Sequence, residues 1–409
     1  MKNWFGYDSF PNQPKILFIG LAQSSHTHAW IDLLADAPLN VRLFAMPTGA
    51  PPETWPVKTY VSCTVSGNNS KTRQFLYRGF LGKPISLIDK IASRLKIPRI
   101  QNPECWLAAL IRQWRPDIIH TLGMFDEQGG LFYFQVREKY GLQNIGKWIL
   151  QTRGGSDLAL RRHNPEMTAM IQQMFSSCDE IISDNTANIL YARAYGVHAD
   201  KFATLVPIPG TGGMDINQLS EGTVFPSQRE RIILWPKAYE SQWSKALPVL
   251  EAIKMAWNKI QPCEIYFLAM TPDVKEWFLT LPDPIRQHCH TAERIARSEV
   301  LSLMKRSRVL LIPSLIDGVP NSLYEAMASG TFPIVSPLDT ILPVVSEELN
   351  VLFARNLYPD EICAALIRAM NDDKLVDQAA ENNLVLVKKI ADRATIKEKV
   401  VKYYLELSR

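Results

Sequence analysis

Short apolar runs alternate with amphipathic stretches along nearly the whole chain. Lys15–Gly20 (KILFIG) is mostly apolar and closes on a glycine, the pattern of a strand buried on both faces. A polar loop over 21–27 follows, then helical spacing from His28 to Ala35, then a second apolar run at Val41–Ala45. The same reading gives a helix at Cys105–Trp114, strands at Asp117–His120 and Trp148–Thr152, and a helix at Pro165–Ser176. A strand at Glu180–Ser183 and a helix at Thr186–Tyr195 complete the first half. Strands alternating with helices predict a parallel sheet covered on both sides.

The rhythm breaks at 206–215 (VPIPGTGGMD), where two prolines and three glycines predict a linker. It then resumes. Strands are predicted at Arg231–Trp235, Glu264–Leu268, Arg308–Ile312 and Phe332–Val335, with helices at Ala246–Trp257 and Ser298–Lys305. Helical spacing returns at Ala364–Met370, Leu375–Lys389 and Ile396–Leu407. One architecture occurs twice, so the expected fold is α/β, with two Rossmann-like doubly wound domains facing a cleft. Ligands are then expected at the carboxyl ends of the strands. The domains are expected at 1–210 and 211–394.

At 409 residues, two domains are also the default from length. Hydrophobic content of 46% and charged content of 21% belong to a globular protein. The opening MKNWFGYDSFPNQPK lacks the apolar core of a secretory signal, and no apolar run is long enough to span a bilayer. A cytoplasmic protein is therefore expected. Six scattered cysteines without a C-x-x-C pair read as reduced thiols. His288-Cys289-His290 lacks structural-zinc spacing, so no metal is expected. The net charge of +4 is uneven: residues 71–99 carry eight Lys and Arg against Asp89 alone, interleaved with aromatics. This stretch suits peripheral contact with an anionic membrane or an anionic acceptor, or else is a solvated helix face. No recognition motif supports nucleic acid.

The chemistry concentrates in 308–336 (RVLLIPSLIDGVPNSLYEAMASGTFPIVS), a strand–loop–helix–strand reading. Pro320 suits the first helical turn, Ser322–Ser329 reads as helix, and Gly330 ends it. A loop feeding a helix N-terminus is an anion site, and here Asp317 and Glu325 straddle it. Asn321, Ser322 and Leu323 would offer their backbone N–H groups to a diphosphate. Lys237 follows one strand and Lys245 begins the next helix, two cations on one loop that can grip a diphosphate. Gly20, ending the first strand, permits close backbone approach to a ligand. No G-x-G-x-x-G, P-loop or G-x-S-x-G is present, which argues against dinucleotide enzymes, P-loop ATPases and that hydrolase family.

Asp-Gly-Val-Pro-Asn-Ser-Leu-Tyr-Glu-Ala-Met-Ala-Ser-Gly, starting at Asp317, resembles the acid-x7-acid and E-A-x-A-x-G signature of glycosyltransferase family 4. Residues 178–215 resemble that family's approach to its second domain, and PKAYESQWSKALPVLEA resembles its donor-pyrophosphate loop. The resemblance implies the GT-B fold and a retaining transfer of sugar from a nucleoside diphosphate to a saccharide or lipid-linked acceptor, with no metal or other cofactor. It implies donor binding by Lys237, Lys245, Asn321, Ser322, Leu323, Glu325 and Gly20, with Glu325 on the ribose and Asp317 on the transferred sugar. His120 matches a histidine that lies near the sugar and assists binding or catalysis, so Asp317 and His120 are the implied catalytic residues, and His26 falls in a segment near the acceptor. A last helix at about 395–409 is implied to pack back on the first domain. Arg153 stands where the family's H-G-S-D stretch has histidine, and an arginine there could grip an anionic sugar or acceptor. The chain departs from the family's G-G-x-P-E at 338–344 (LDTILPV), which also fits a non-catalytic nucleotide-sugar-binding module of a polysaccharide assembly complex.

Overall fold

A computed structural model describes residues 8–49, 51–52, 54–61, 103–125, 129–155, 157–293 and 295–409. The basic stretch 71–99, and with it the expected membrane contact, lies outside the described residues. The chain divides into two compact units. Unit 1 comprises Met1–Arg153, Asp157–Gly212 and Thr395–Arg409, and unit 2 comprises Gly154–Ser156 and Gly213–Ala394.

Among the described residues, unit 1 is built on a six-stranded parallel sheet of β1 (Lys15–Gly20), β2 (Asn40–Ala45), β3 (Lys58–Val61), β4 (Ile118–Thr121), β5 (Lys147–Thr152) and β6 (Glu180–Ser183). Their order is β3-β2-β1-β4-β5-β6, with Ile16 of β1 opposite Val41 of β2 and Ile118 of β4. Successive side chains leave opposite faces of a strand. Accordingly Leu17 and Ile19 enter a core with Phe44, Ile119 and the helix Pro103–Trp114. Ile16 and Phe18 enter the other core with Trp30, Ile118 and Ile149, and with Ile396, Val400, Tyr403 and Tyr404 of the helix Arg393–Leu407. Burying a large apolar side chain contributes about 1.5–3 kcal/mol, so two full cores account for the continuous apolar runs.

Unit 2 repeats the plan with β7 (Glu230–Trp235), β8 (Glu264–Leu268), β9 (Cys289–Ala292), β10 (Ser307–Ile312), β11 (Phe332–Val335) and β12 (Leu352–Phe353). The order is β12-β11-β10-β7-β8-β9, all parallel, which is the unit 1 order read from the other edge. Both sheets therefore have the Rossmann strand order, reversing direction between β1 and β4 in one and between β7 and β10 in the other. Ile233, Trp235, Val309 and Leu311 fill one face, and Ile232, Leu234, Leu310 and Ile312 the other.

Some local expectations need correction. The first helix is Ser25–Ile31, continued by a 3-10 turn at Asp32–Leu34, because Pro38 and the start of β2 leave no room for a helix to run on. Lys245 precedes its helix, which begins at Leu247. Pro320 is the N-cap of the helix Asn321–Ser329. The unpredicted strands β3, β9 and β12 all lie at sheet edges: β9 is half-exposed, β3 (KTYV) is buried but opens on Lys58 and Thr59, and β12 is only two residues long, so none writes a continuous apolar run. The helix Gly130–Tyr140 was hidden by its opening Gly129-Gly130, which reads as a breaker.

Candidate functional site

At the carboxyl ends of β7 and β10, the unit 2 switch point, two loops meet. The first, 236–246, leads from β7 into the helix Leu247–Ile260. The second, 313–320, leads from β10 into the helix Asn321–Ser329. They are stitched together by backbone and side chain. Leu315 N donates to the Trp243 carbonyl at 2.8 Å. The buried Asn356 accepts from Lys245 N at 2.8 Å, and its amide donates to the carbonyls of Lys245 at 3.0 Å and Pro313 at 3.2 Å.

The helix Asn321–Ser329 buries seven of its nine residues, which explains its run of Leu, Ala and Met. It stops at Gly330, whose φ of +73° suits glycine. No side chain caps its N-terminus, and the buried Ser322 hydroxyl in its first turn has no hydrogen-bond partner. The Leu323 N–H, one of the expected phosphate donors, already donates to the Pro320 carbonyl at 2.9 Å, so the helix start offers an anion its dipole and the Ser322 side of the first turn.

Three ion pairs surround this helix start and the first loop. Lys237 Nζ lies 3.0 Å from Asp317 Oδ2, Lys245 Nζ 2.6 Å from Glu240 Oε1, and Arg297 Nη2 2.5 Å from Glu325 Oε1. Burial alone would pull the Lys237 amine's pKa down, but Asp317, then Tyr239 and Glu325, outweigh it and hold it above its ordinary value. Burial raises the nearby Tyr239 phenol, and Asp317 adds to this while Lys237 opposes it. Glu240 also takes the N–H of Ala246 at 2.9 Å, so one carboxylate caps the next helix and holds Lys245. Asp317 Oδ1 accepts from Gly318 N at 2.9 Å. Thr340, in the stretch that departs from G-G-x-P-E, donates to the carbonyls of Asp317 at 2.8 Å and Gly318 at 3.2 Å. The altered loop therefore braces the Asp317 turn.

Unit 1 holds a second polar cluster at the ends of β4, β5 and β6. His120 is fully buried in β4, with Nδ1 2.5 Å from the Tyr404 hydroxyl, which also accepts from Trp30 Nε1 at 3.1 Å. Burial holds the Tyr404 phenol far above its ordinary range, so it keeps its proton. Burial, then the charge of Arg153, holds the His120 pKa well below its ordinary value, so the ring is neutral. With Trp30 donating to the phenol oxygen, the phenol O–H points to His120 Nδ1, and the ring proton sits on Nε2. Nε2 has no partner, nor do Nε and Nη2 of Arg153. The Arg153 guanidinium carbon lies 5.8 Å from the Trp30 ring. Burial lowers its pKa to about 10, opposed by Asp184, Tyr404 and Asp157. Asp157 Oδ2 accepts the N–H groups of Met124 and Arg153, both at 3.1 Å, while burial pushes its carboxyl up to about 7.

Of the residues singled out in the sequence, Lys237, Asp317, Lys245, Glu325, Asn321, Ser322 and Leu323 all belong to unit 2's switch-point loops and helix. His120 and Arg153 share the unit 1 cluster. Gly20 ends β1, and the close approach it makes is to Leu122, whose Cβ would lie 3.2 Å from a Cβ placed there. His26 is an exposed residue of the first helix, whereas His28 is anchored to the Ala22 carbonyl at 2.6 Å and packs on Trp55. Sequence reasoning missed Glu240, Arg297, Thr340, Asn356, Asp157 and Tyr404. Glu240 lies in the same PKAYE stretch as Lys237 and was open to reading as a counter-charge. Asp157 is the acid of the stretch that resembles H-G-S-D, and Thr340 lies in the altered 338–344 stretch, so both had a local signal; Arg297, Asn356 and Tyr404 gave none. His288 and His290 both face Glu264, at 2.9 and 2.8 Å. Among the described residues, no group of three or more His, Cys, Asp and Glu is arranged to hold a metal ion, and no helix is long and apolar enough to cross a membrane.

Comparison with known proteins fits this geometry. The family model "Glycosyl transferases group 1" matches residues 283–384, which include Asp317 and Glu325. No sequence among curated proteins matches the chain. Sucrose-phosphate synthase from Thermosynechococcus elongatus aligns with a TM-score of 0.67 at 14% identity, over 97% of this chain and 99% of its own. Anabaena Alr3699/HepE in complex with UDP-glucose aligns with a TM-score of 0.65 at 12% identity, over 95% and 98%. The chain has the GT-B fold. A candidate UDP-N-acetylglucosamine 2-epimerase from Listeria monocytogenes aligns at 0.58 and 12% identity, over 95% of each chain. At such identities the likeness carries the fold, and the reaction has to be argued from the site.

Proposed function

We propose that the chain is a retaining, metal-independent glycosyltransferase, moving a sugar from a nucleoside diphosphate to an acceptor hydroxyl in cell-surface polysaccharide or glycolipid synthesis. The observation that carries the reading is the buried Glu325 in the first turns of an uncapped helix, beside the Lys237–Asp317 pair at a switch point. A carboxylate there can accept from both ribose hydroxyls, while helix N–H groups and lysines face phosphate. The binding of UDP-glucose by Anabaena HepE, on the same fold, makes UDP the first nucleotide to test.

In this reading the bond from the anomeric carbon to the diphosphate oxygen breaks as the acceptor oxygen bonds on the same face of the sugar. The acceptor proton passes to the departing phosphate oxygen. Negative charge grows on the diphosphate, and Lys237, Lys245 and the positive end of the helix that starts at Asn321 stabilise it. Asp317, freed from Lys237 as the diphosphate takes over the lysine, accepts from a hydroxyl of the transferred sugar. Loss of the G-G-x-P-E loop, and of the donor contacts it would make, favours the non-catalytic module as the second reading; the hydrogen bond from Thr340 to the Asp317 carbonyl, which holds the acid's turn, supports turnover.

A thermal-shift series with UDP, GDP, ADP, dTDP and CMP tests the site, with Glu325→Ala as control. A ligand at 100 times its Kd adds about 2.7 kcal/mol to the state it binds. A shift with one nucleotide that disappears in Glu325→Ala is expected. No shift with any of the five would refute the donor site. Binding without release of free sugar or transfer would favour the module.

A further inference from the structure

Arg153 of unit 1 is half-buried with two N–H donors that meet no acceptor, Nε and Nη2. These two nitrogens form one edge of the guanidinium. Their N–H bonds run side by side, the fork that matches two oxygens of a carboxylate or phosphate. An unsatisfied buried donor costs about 1–3 kcal/mol, and more when charged. Each buried polar group left so calls for an explanation, of which a water, an ion or a bound group is one, and two parallel donors on one charged edge favour an anion. A third orphan donor, His120 Nε2–H, lies by the same Trp30 ring, with ring centroids 5.9 Å apart.

We propose that Arg153 and His120 form an oxyanion receptor in unit 1, which grips a carboxylate or phosphate group on a substrate. Three donors without an acceptor ask for an oxygen-rich anion. A hydroxyl would satisfy only part of the set and leave the charge alone. Asp184 and Asp157 act on Arg153 electrostatically, yet among the described residues no ion pair holds it. Asp157 cannot neutralise it fully, because its carboxyl is about half protonated near pH 7. Assigning the oxyanion to the acceptor or to the transferred sugar rests on the transferase reading. The receptor itself does not.

Calorimetric titration of the full chain with D-glucuronate, D-glucose 6-phosphate and D-glucose tests this. One of the acids is expected to bind at least about tenfold more tightly than D-glucose, or 1.4 kcal/mol. Arg153→Gln should abolish that preference. Arg153→Lys, which keeps charge and loses the fork, should retain less than half of it on a free-energy scale. Preference for glucuronate identifies a carboxylate, and preference for the phosphate ester identifies a phosphate. No preference for either acid, or a preference that survives Arg153→Gln, overturns the receptor. If Arg153→Gln does not fold, an undiminished preference in Arg153→Lys overturns it. UDP titration of the same samples reports on unit 2, so a chain that ignores UDP but selects the acid loses the transferase reading and keeps the receptor.

Discussion

Asp157 offers a stability test whose size follows from the structure. Its carboxylate is buried at 3% exposure and accepts two backbone N–H groups through one oxygen, yet burial still pushes its pKa up to about 7. In the unfolded chain the same group titrates near 3.9. Between those values the folded state holds a proton that the unfolded state has released, so stability falls as pH rises across that window. The difference of about three pKa units corresponds to about 4 kcal/mol, complete above pH 7 and absent below pH 4. Asp157→Asn mimics the protonated acid and can keep both N–H bonds with its carbonyl oxygen. The variant should therefore match the wild type near pH 4 and exceed it by up to about 4 kcal/mol at pH 8, at about 1.4 kcal/mol per pH unit. Urea unfolding of both proteins at pH 4.5, 6, 7 and 8 measures this. A two-unit chain can unfold in steps, so the transition to follow is the one that moves. A wild-type-to-variant difference that does not change with pH would refute the reasoning, because it would mean that Asp157 is ionised throughout.

Glu325→Gln should weaken nucleotide binding by about 10- to 100-fold in calorimetry, since hydrogen bonds to a charged acceptor contribute about 1.5–3 kcal/mol. Arg297 is 71% exposed, so Arg297→Ala should change the affinity less than about threefold, and equal losses in the two variants would transfer the role from the carboxylate to the pair. Thr340→Val keeps the shape and removes the single hydroxyl proton shared between two carbonyls, a loss of about 1–3 kcal/mol when buried. Donor turnover should drop about tenfold with nucleotide affinity within threefold, and Thr340→Ser should restore it; an unchanged rate would remove Thr340 from the bracing of Asp317.

Much of the fold was legible because parallel strands are buried on both faces and so write themselves as apolar runs, as at Lys15–Gly20 and Arg308–Ile312. The edge strands β3, β9 and β12 were not, because β3 and β9 mix polar with apolar residues and β12 is two residues long. In the site, the acids 317 and 325 and the lysines 237 and 245 could be read, since each sits beside its own strand end or helix start. Their pairing could not. Lys237 meets Asp317 across 80 residues of sequence, and His120 meets Tyr404 across 284. Such partners are fixed by tertiary packing, and local periodicity does not report them. At Gly20 the sequence shows only that a side chain is missing; that Leu122 packs into the space is again a matter of tertiary packing.

The buried Asn356 that ties the two switch-point loops together has a consequence for binding kinetics. Its single amide spans Lys245 on one loop and Pro313 on the other, so the loops cannot wander independently. A ligand reaching the first loop finds the second already in register, and little rotational freedom remains to be frozen at the encounter. Arrival is then a one-step collision with a set template, and differences in affinity among nucleotides should be felt mainly in how long each one stays.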